Sequence, residues 1–274
     1  MNQETFSTLF DMTGRVVIVT GGTRGIGRAL AEGYACAGAT VVVASRKPAS
    51  CAETEAHLRS MGVDALGVAT HLGDLDALRN LVDRTVDAFG RIDVVVNNAA
   101  TALAQPIADY TPEAWEKSLD VNLRGPVFLT AAALPHLKES GHAAVLNILS
   151  GAAFMFSPNI SLYATGKAGL LAHTRSAAAE FAPFGIRVNA LAPGTVDTDM
   201  VRSNSPERQE MMSQLMLLKR MASPDEIVGP ALLLTSDAGS FITGQTRLVG
   251  GGMVPHCWDA QRCAGHRGRE PPVC

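Results

Sequence analysis

Val16-Val17-Ile18-Val19-Thr20-Gly21-Gly22-Thr23-Arg24-Gly25-Ile26-Gly27 decides how this chain is read. It opens with β-branched, apolar residues and no polar alternation, the pattern of a strand buried on both faces. The glycines at 21, 22, 25 and 27 then let the chain turn sharply and bring backbone N–H groups forward. Arg28 to Ala37 continues with helical spacing and stops at Gly38, a C-terminal glycine signal. The first N–H groups of a helix have no partner of their own, so a strand, a glycine turn and a helix start make an anion site. In this context the anion is the pyrophosphate of a dinucleotide, and Gly21, Thr23, Arg24, Gly25, Ile26 and Gly27 are its candidate contacts.

The same alternation runs outward from there. Strands are expected at 40–44, 65–69, 92–96, 144–149, 186–191 and 245–249. Helices are expected at 52–61, 75–89, 112–137, 161–181, 206–218 and 224–234, with Thr111 capping and Pro112 opening the fourth expected helix from the glycine turn. Strands joined by helical crossovers predict an α/β, single-domain, Rossmann-type, doubly wound parallel sheet of about seven strands with helices on both faces. No linker divides residues 1–252, which are read as one binding and catalytic domain. Residues 253–274 have no period and are expected to form a mobile C-terminal tail.

Composition excludes several classes. Of the 274 residues, 47% are hydrophobic and 18% charged, enough to bury a sizeable core. The net charge of −3 offers no basic footprint for nucleic acid. No apolar run approaches a membrane span, and the N-terminus lacks a basic, apolar leader, so no membrane association and a cytoplasmic location are expected. The five cysteines include no CxxC pair, which argues against a disulfide framework. His256, Cys257, Cys263 and His266 lack the usual zinc spacing, and no metal is expected.

The residues after the second strand bear on the choice of nucleotide. Ser45, Arg46 and Lys47 offer a hydroxyl and two cations but no carboxylate, and Arg24 lies within the glycine turn. That set suits a ribose 2′-phosphate, so NADP(H) is favoured over NAD(H). Farther on, Tyr163 and Lys167 stand four apart, on one face of the expected helix. A free tyrosine titrates too high to act at neutral pH, but a neighbouring cation favours its phenolate. Such a tyrosine can exchange a proton with a carbonyl or alcohol oxygen.

TGxxxGIG at 20–27, Asn97-Asn98-Ala99-Ala100, Ser150, and Tyr163 with Lys167 occur in that order, and together they resemble the short-chain dehydrogenase/reductase family over roughly Thr13 to Gly252. The resemblance implies hydride transfer between a nicotinamide and a carbonyl or secondary alcohol. Ser150, thirteen residues before Tyr163, would orient the substrate oxygen. Tyr163 would move the proton, Lys167 would bond the nicotinamide ribose, and Asn122 would help hold a water chain behind the lysine. Asn98, with Ala99 beside it, would brace the sheet next to the cofactor. Pro193, Gly194, Val196 and Thr198 would lie near the nicotinamide. His71, followed by Leu72, stands where the family usually has an aspartate bonding the adenine amino group, which leaves that contact open. The resemblance also implies a homo-oligomer, a tetramer or dimer, and the small Ala168, Ala172, Ala177, Ala178 and Ala179 would allow close helix packing.

The substrate end is read as apolar. Ala152, Phe154, Met155 and Phe156 are candidate lining residues, with the segment from Met200 to Met221 as a second group, which holds the five methionines Met200, Met211, Met212, Met216 and Met221. A medium-sized hydrophobic carbonyl or alcohol is the expected small-molecule partner. Arg124 and Arg202 are possible anchors without an assigned place. Two alternatives stand beside this reading: an NAD-dependent alcohol dehydrogenase of the same fold, and a dinucleotide-binding regulator without turnover.

Overall fold

A computed structural model describes residues 2–253. His256, Cys257, Cys263, His266 and Cys274, and all of the expected tail except Met253, lie outside the described residues. The strands are β1 (Val16–Thr20), β2 (Thr40–Ser45), β3 (Ala65–Ala69), β4 (Val94–Asn97), β5 (Ala144–Ile148), β6 (Arg187–Pro193) and β7 (Thr246–Val249). The helices are α1 (Gln3–Ser7), α2 (Gly25–Cys36), α3 (Pro48–Ser60), α4 (Leu75–Phe89), α5 (Pro112–Leu119), α6 (Gly125–Glu139), α7 (Ser161–Phe181), α8 (Asp199–Arg202), α9 (Pro206–Gln214) and α10 (Val228–Thr235).

All seven strands join one sheet in the order β3-β2-β1-β4-β5-β6-β7, and every pairing is parallel. The order reverses direction between β1 and β4, the switch point at which doubly wound sheets open a crevice at their carboxyl ends. The unbroken apolar run of β1 has its reason here. Val17 and Val19 pack with Leu30, Tyr34, Leu58, Ile227 and Leu234 of α2, α3, α10 and the turn before it. Val16 and Ile18 pack on the opposite face with Leu78, Leu81, Leu129, Ala133 and Phe181 of α4, α6 and α7. Each fully buried branched side chain contributes about 1.5–3 kcal/mol, so both faces of the strand are specified.

The structure departs from the sequence expectation in specific places. The helix expected over 112–137 is two helices, separated by a π-helical turn at Asp120–Arg124. There the Gly125 N–H reaches the Asp120 carbonyl, five residues back. Pro126 has no N–H with which to close the ordinary bond to the Asn122 carbonyl, so the widened turn is encoded by the proline. α2 begins at Gly25 rather than Arg28, so the glycines belong to its first turn. α3 begins at Pro48 rather than Ala52, with proline at an opening position. The helix expected over 206–218 ends at Gln214. The one expected over 224–234 starts as a 3-10 turn, where Ser223 and Glu226 form a capping box. α1 and α8 were not expected from the sequence.

At the opposite end of the sheet from the crevice, fully buried Asp93 ties strand starts together. Its carboxylate accepts from the Val16 N–H at 2.8 Å, from Arg91 Nε and Nη2 at 2.9 and 2.7 Å, and from the Ser140 hydroxyl. Burial pushes its pKa up, but these bonds together outweigh burial and hold it below the usual carboxylate range. Asp93→Ala should lose about 2–3 kcal/mol in urea denaturation at pH 7, because the Val16 N–H and Ser140 are left unpaired. The carboxylate's contribution is present above the ordinary carboxylate pKa and fades as pH falls through its lowered value, so the difference between the two proteins should shrink only in acid. A loss under about 0.5 kcal/mol at neutral pH would contradict this role.

Candidate active site

The carboxyl ends of β1 to β6 border one cleft of about 500 Å³. Its first wall is the glycine turn. Gly21 and Gly25 have φ of +66° and +51°, which side chains rarely adopt. A Cβ on Gly27 would stand 2.1 Å from the Gly21 carbonyl oxygen, so only glycine lets α2 start this close to β1. Arg24 occupies the cap position of α2 without a side-chain cap bond, and the first turn carries no acidic residue. Thr23, Arg24, Ile26 and Gly27 line the cleft along with Gly21 and Gly25. Unpartnered helix-start N–H groups beside a cation are the chemistry a pyrophosphate requires.

Asn98 holds this turn in place. Its Nδ2 donates to the Thr20 carbonyl at 2.8 Å and reaches the Gly21 carbonyl at 3.5 Å, while the Asn98 and Ala99 N–H groups both donate to Thr20 Oγ1. The bracing across the sheet itself belongs to its neighbour, which the sequence reading missed. Buried Asn97 donates to Asn147 Oδ1 at 2.8 Å and to Thr130 Oγ1 at 3.1 Å, and Asn147 donates to Thr174 Oγ1 at 2.9 Å. This chain of amides pins β4 to β5 and both to the helices on one face. An asparagine in an apolar strand is the only signal of it in the sequence.

Beyond β2, Ser45, Arg46 and Lys47 line the cleft, and so does Ser50 in the first turn of α3. His71 and Leu72, after β3, complete that end. On the other side of the switch point lie Ser150 after β5, Tyr163 and Lys167 on α7, and Pro193, Gly194, Val196 and Thr198 after β6. Asn122 does not itself line the cleft. It is fully buried in the π-helical turn behind the wall. Its amide donates to the Thr101 and Ser118 carbonyls at 2.8 and 2.9 Å and accepts from the Thr101 N–H at 3.2 Å. The side chain is thereby committed to fixing the loop after β4, and Thr101 lines the cleft.

α7 approaches that turn closely because Gly166 has no side chain, since a Cβ there would stand 2.8 Å from the Asn122 Cβ. The approach buries Lys167. Its Nζ donates to the Ile148 carbonyl at 2.7 Å and lies 5.8 Å from the centre of the Tyr163 ring. Burial pulls the lysine pKa down to about 8. Tyr163 keeps some surface toward the cleft but is packed among protein atoms. Burial pushes its pKa up, and the neighbouring Ser150 side chain pulls it partly back. Ser150 also accepts from the Ala152 N–H at 3.2 Å, capping the 3-10 turn that follows.

The expected substrate wall is only partly there. Of the two candidate groups, only Met200 and Val201 line the cleft, joined by Lys117, Val121 and Asp199, which lie outside both groups. The 3-10 turn after Ser150 carries Phe154 away to pack with Leu149, Leu170, Ala190 and Ala192. Phe156 is exposed and Met216 buried. Both candidate anchors are already engaged: Arg124 bonds the Gly73 carbonyl and Asp120, and Arg202 pairs with Asp197 at 2.7 Å. Among the described residues, no cluster of metal-ligating side chains is present, and no helix is long and apolar enough to cross a membrane.

A family model described as enoyl-(acyl carrier protein) reductase matches residues 21–254. Dehydrogenase/reductase SDR family member 4 of Homo sapiens is 38% identical over 244 residues, 88% of this chain and 88% of the relative. The chain belongs to the short-chain dehydrogenase/reductase family. It is an oxidoreductase of a family that binds NAD(P). L-rhamnose 1-dehydrogenase (NAD(P)(+)) of Azotobacter vinelandii is 36% identical over 246 residues, covering 87% of this chain and 96% of that enzyme. A Beutenbergia cavernae structure, described as a candidate NAD(P)-dependent gluconate 5-dehydrogenase with NADP bound at low occupancy, superposes with a TM-score of 0.84 at 35% identity. It covers 89% of this chain and 98% of that one.

The buried lysine has a cost that can be measured. Lowering its pKa from 10.5 to about 8 corresponds to about 3 kcal/mol of penalty on the charged form. Lys167→Met removes that penalty but leaves the Ile148 carbonyl unpaired, a loss of about 1–3 kcal/mol. The variant should therefore be at least as stable as wild type at pH 7. Between about pH 8 and 10.5 the unfolded chain holds a proton that the folded protein has shed, so wild type should gain stability relative to the variant as pH rises. A variant several kcal/mol weaker at pH 7, with no pH dependence in the difference, would contradict the assigned environment.

Proposed function

We propose that this protein is an NADP(H)-dependent oxidoreductase that interconverts a ketone and a secondary alcohol on a medium-sized, largely apolar substrate. The reading rests on one observation above all: a fully buried Lys167 one helical turn from Tyr163, with Ser150, Tyr163 and Lys167 all lining one cleft. When bound, the nicotinamide supplies or accepts the hydride at the carbonyl carbon. Ser150 orients the substrate oxygen with its hydroxyl. Tyr163 passes its phenolic proton to that oxygen in reduction and takes it back in oxidation. The Lys167 cation favours the phenolate form and bonds the nicotinamide ribose. Asn122 is a positioning residue, fixing Thr101 and the turn against which α7 and Lys167 are packed.

Gly21, Thr23, Arg24, Gly25, Ile26 and Gly27 hold the pyrophosphate. Ser45 and Arg46 receive the 2′-phosphate, His71 and Leu72 the base, and Asn98 and Ala99 back the central part of the cofactor. Pro193, Gly194, Val196 and Thr198 border the nicotinamide. The NADP(H) preference is supported by three cations lining the cleft, Arg46 and Lys47 after β2 and Arg24 in the glycine turn. Residues 1–252 act as one unit. A homo-oligomer is supported by the exposed Ala168, Ala172 and Ala179 on α7, whereas Ala177 and Ala178 are spent on the chain's own core. Met200, Val201 and Val121 support an apolar substrate. A second substrate reading, a polyhydroxylated one, is favoured by Lys117 and Asp199 at the same cleft and by the rhamnose dehydrogenase relative.

Titration should give NADPH at least tenfold tighter binding than NADH, with Arg46→Asp reversing the order. Equal binding of the two in wild type would contradict the preference. On a panel of aliphatic and aromatic ketones and of aldoses, Tyr163→Phe should lose at least a hundredfold in kcat with NADPH affinity within about threefold of wild type. Retention of more than a tenth of the wild-type kcat would overturn the role of Tyr163. Turnover confined to aldoses would replace the apolar substrate with the polyhydroxylated one.

A further inference from the structure

The order of the strands gives the cleft a direction. β2 lies beside β1, and β3 is the edge strand beyond it. A dinucleotide with its pyrophosphate on the turn after β1 and its ribose at the end of β2 brings its purine to the end of β3. His71 lines the cleft there.

The backbone sets which face of that imidazole carries a proton. The Gly73 N–H donates to His71 Nδ1 at 3.1 Å. Nδ1 therefore uses its lone pair on the chain itself, and the ring's hydrogen sits on Nε2, on the side turned from Gly73. The arrangement is built into the loop. A Cβ at Gly73 would stand 3.0 Å from the ring's Cε1 and 3.2 Å from Nδ1, so a side chain there would crowd the imidazole. The Asp74 N–H donates to the His71 carbonyl at 3.0 Å, and Arg124 Nη2 donates to the Gly73 carbonyl at 2.9 Å. A ring held this way, on a residue that lines the cleft, offers an Nε2–H donor. A purine amino group is also a donor, so the two cannot bond. The unprotonated ring nitrogens of the purine can accept.

We propose that His71 donates its Nε2–H to an acceptor ring nitrogen of the cofactor's purine, so that the base is read through a lone pair and not through its exocyclic amino group. The proposal rests on the dinucleotide reading of the cleft given above. It makes His71 a specificity-determining residue whose polarity is opposite to that of a carboxylate.

The test is calorimetric titration of the whole chain with NADPH and with NADPH carrying N6,N6-dimethyladenine, which keeps every ring acceptor but has no amino hydrogen. Wild type should bind the two within about threefold of each other. His71→Ala should weaken both by about three- to tenfold, the effect of one lost hydrogen bond. His71→Asp, which places an acceptor there, should prefer NADPH at least tenfold. A wild type that loses tenfold or more on dimethylation reads the amino group, and the proposal is then wrong. It is equally wrong if His71→Ala leaves both affinities unchanged, or if His71→Asp treats the two ligands alike. Absence of NADPH binding to wild type at millimolar concentration would overturn the dinucleotide reading itself, and this proposal with it.

Discussion

The close packing of α7 against the π-helical turn at Asp120–Arg124 is the constraint on which the cleft depends. Gly166 allows it, and it places Lys167 in the interior with its ammonium on the Ile148 carbonyl. The same turn puts the Asn122 amide on Thr101, so the loop after β4, the end of β5 and the face of α7 are located relative to one another by a few polar bonds in a dry setting. Buried polar groups are worth keeping only when every partner is supplied. Here the Ile148 carbonyl accepts from Lys167, and the Thr101 and Ser118 carbonyls accept from the Asn122 amide.

The other half of the cleft is built from backbone. The glycine turn, tied to β4 through Asn98 and Thr20, presents the start of α2 without a capping side chain. An anion is what such a helix start lacks. Basic residues gather at the neighbouring strand end, and the chain's membership of a nicotinamide-dependent oxidoreductase family agrees with that chemistry. The two halves meet at the switch between β1 and β4, where a bound dinucleotide and the Tyr163 hydroxyl can share one space.

Much of this was legible in the sequence because it is written locally. The strand runs, the glycine turn and the helical spacings of α4 and α7 gave the sheet, and α4 and α7 have the same bounds in the structure as expected. What was missed depends on distant contacts. Apolar spacing cannot register a bond that spans five residues, so the π-helical turn read as continuous helix although Pro126 marked it. The pairing of Arg124 with Asp120 and the Gly73 carbonyl, and the turning of Phe154 into the core, come from tertiary packing that no local pattern records. Asn98 secures the turn, while the amides that cross the sheet are Asn97 and Asn147.

The central claim is that the cleft at the carboxyl ends of the strands seats a dinucleotide by its pyrophosphate at the start of α2. It is tested most directly by titrating NADPH into wild type and into Thr23→Glu, which sets a carboxylate beside that helix start, and following nicotinamide fluorescence. One NADPH per chain in wild type, and at least a hundredfold weaker binding in a Thr23→Glu protein of unchanged thermal stability, is the expected result. Undiminished binding in the variant would place the cofactor elsewhere and contradict the account.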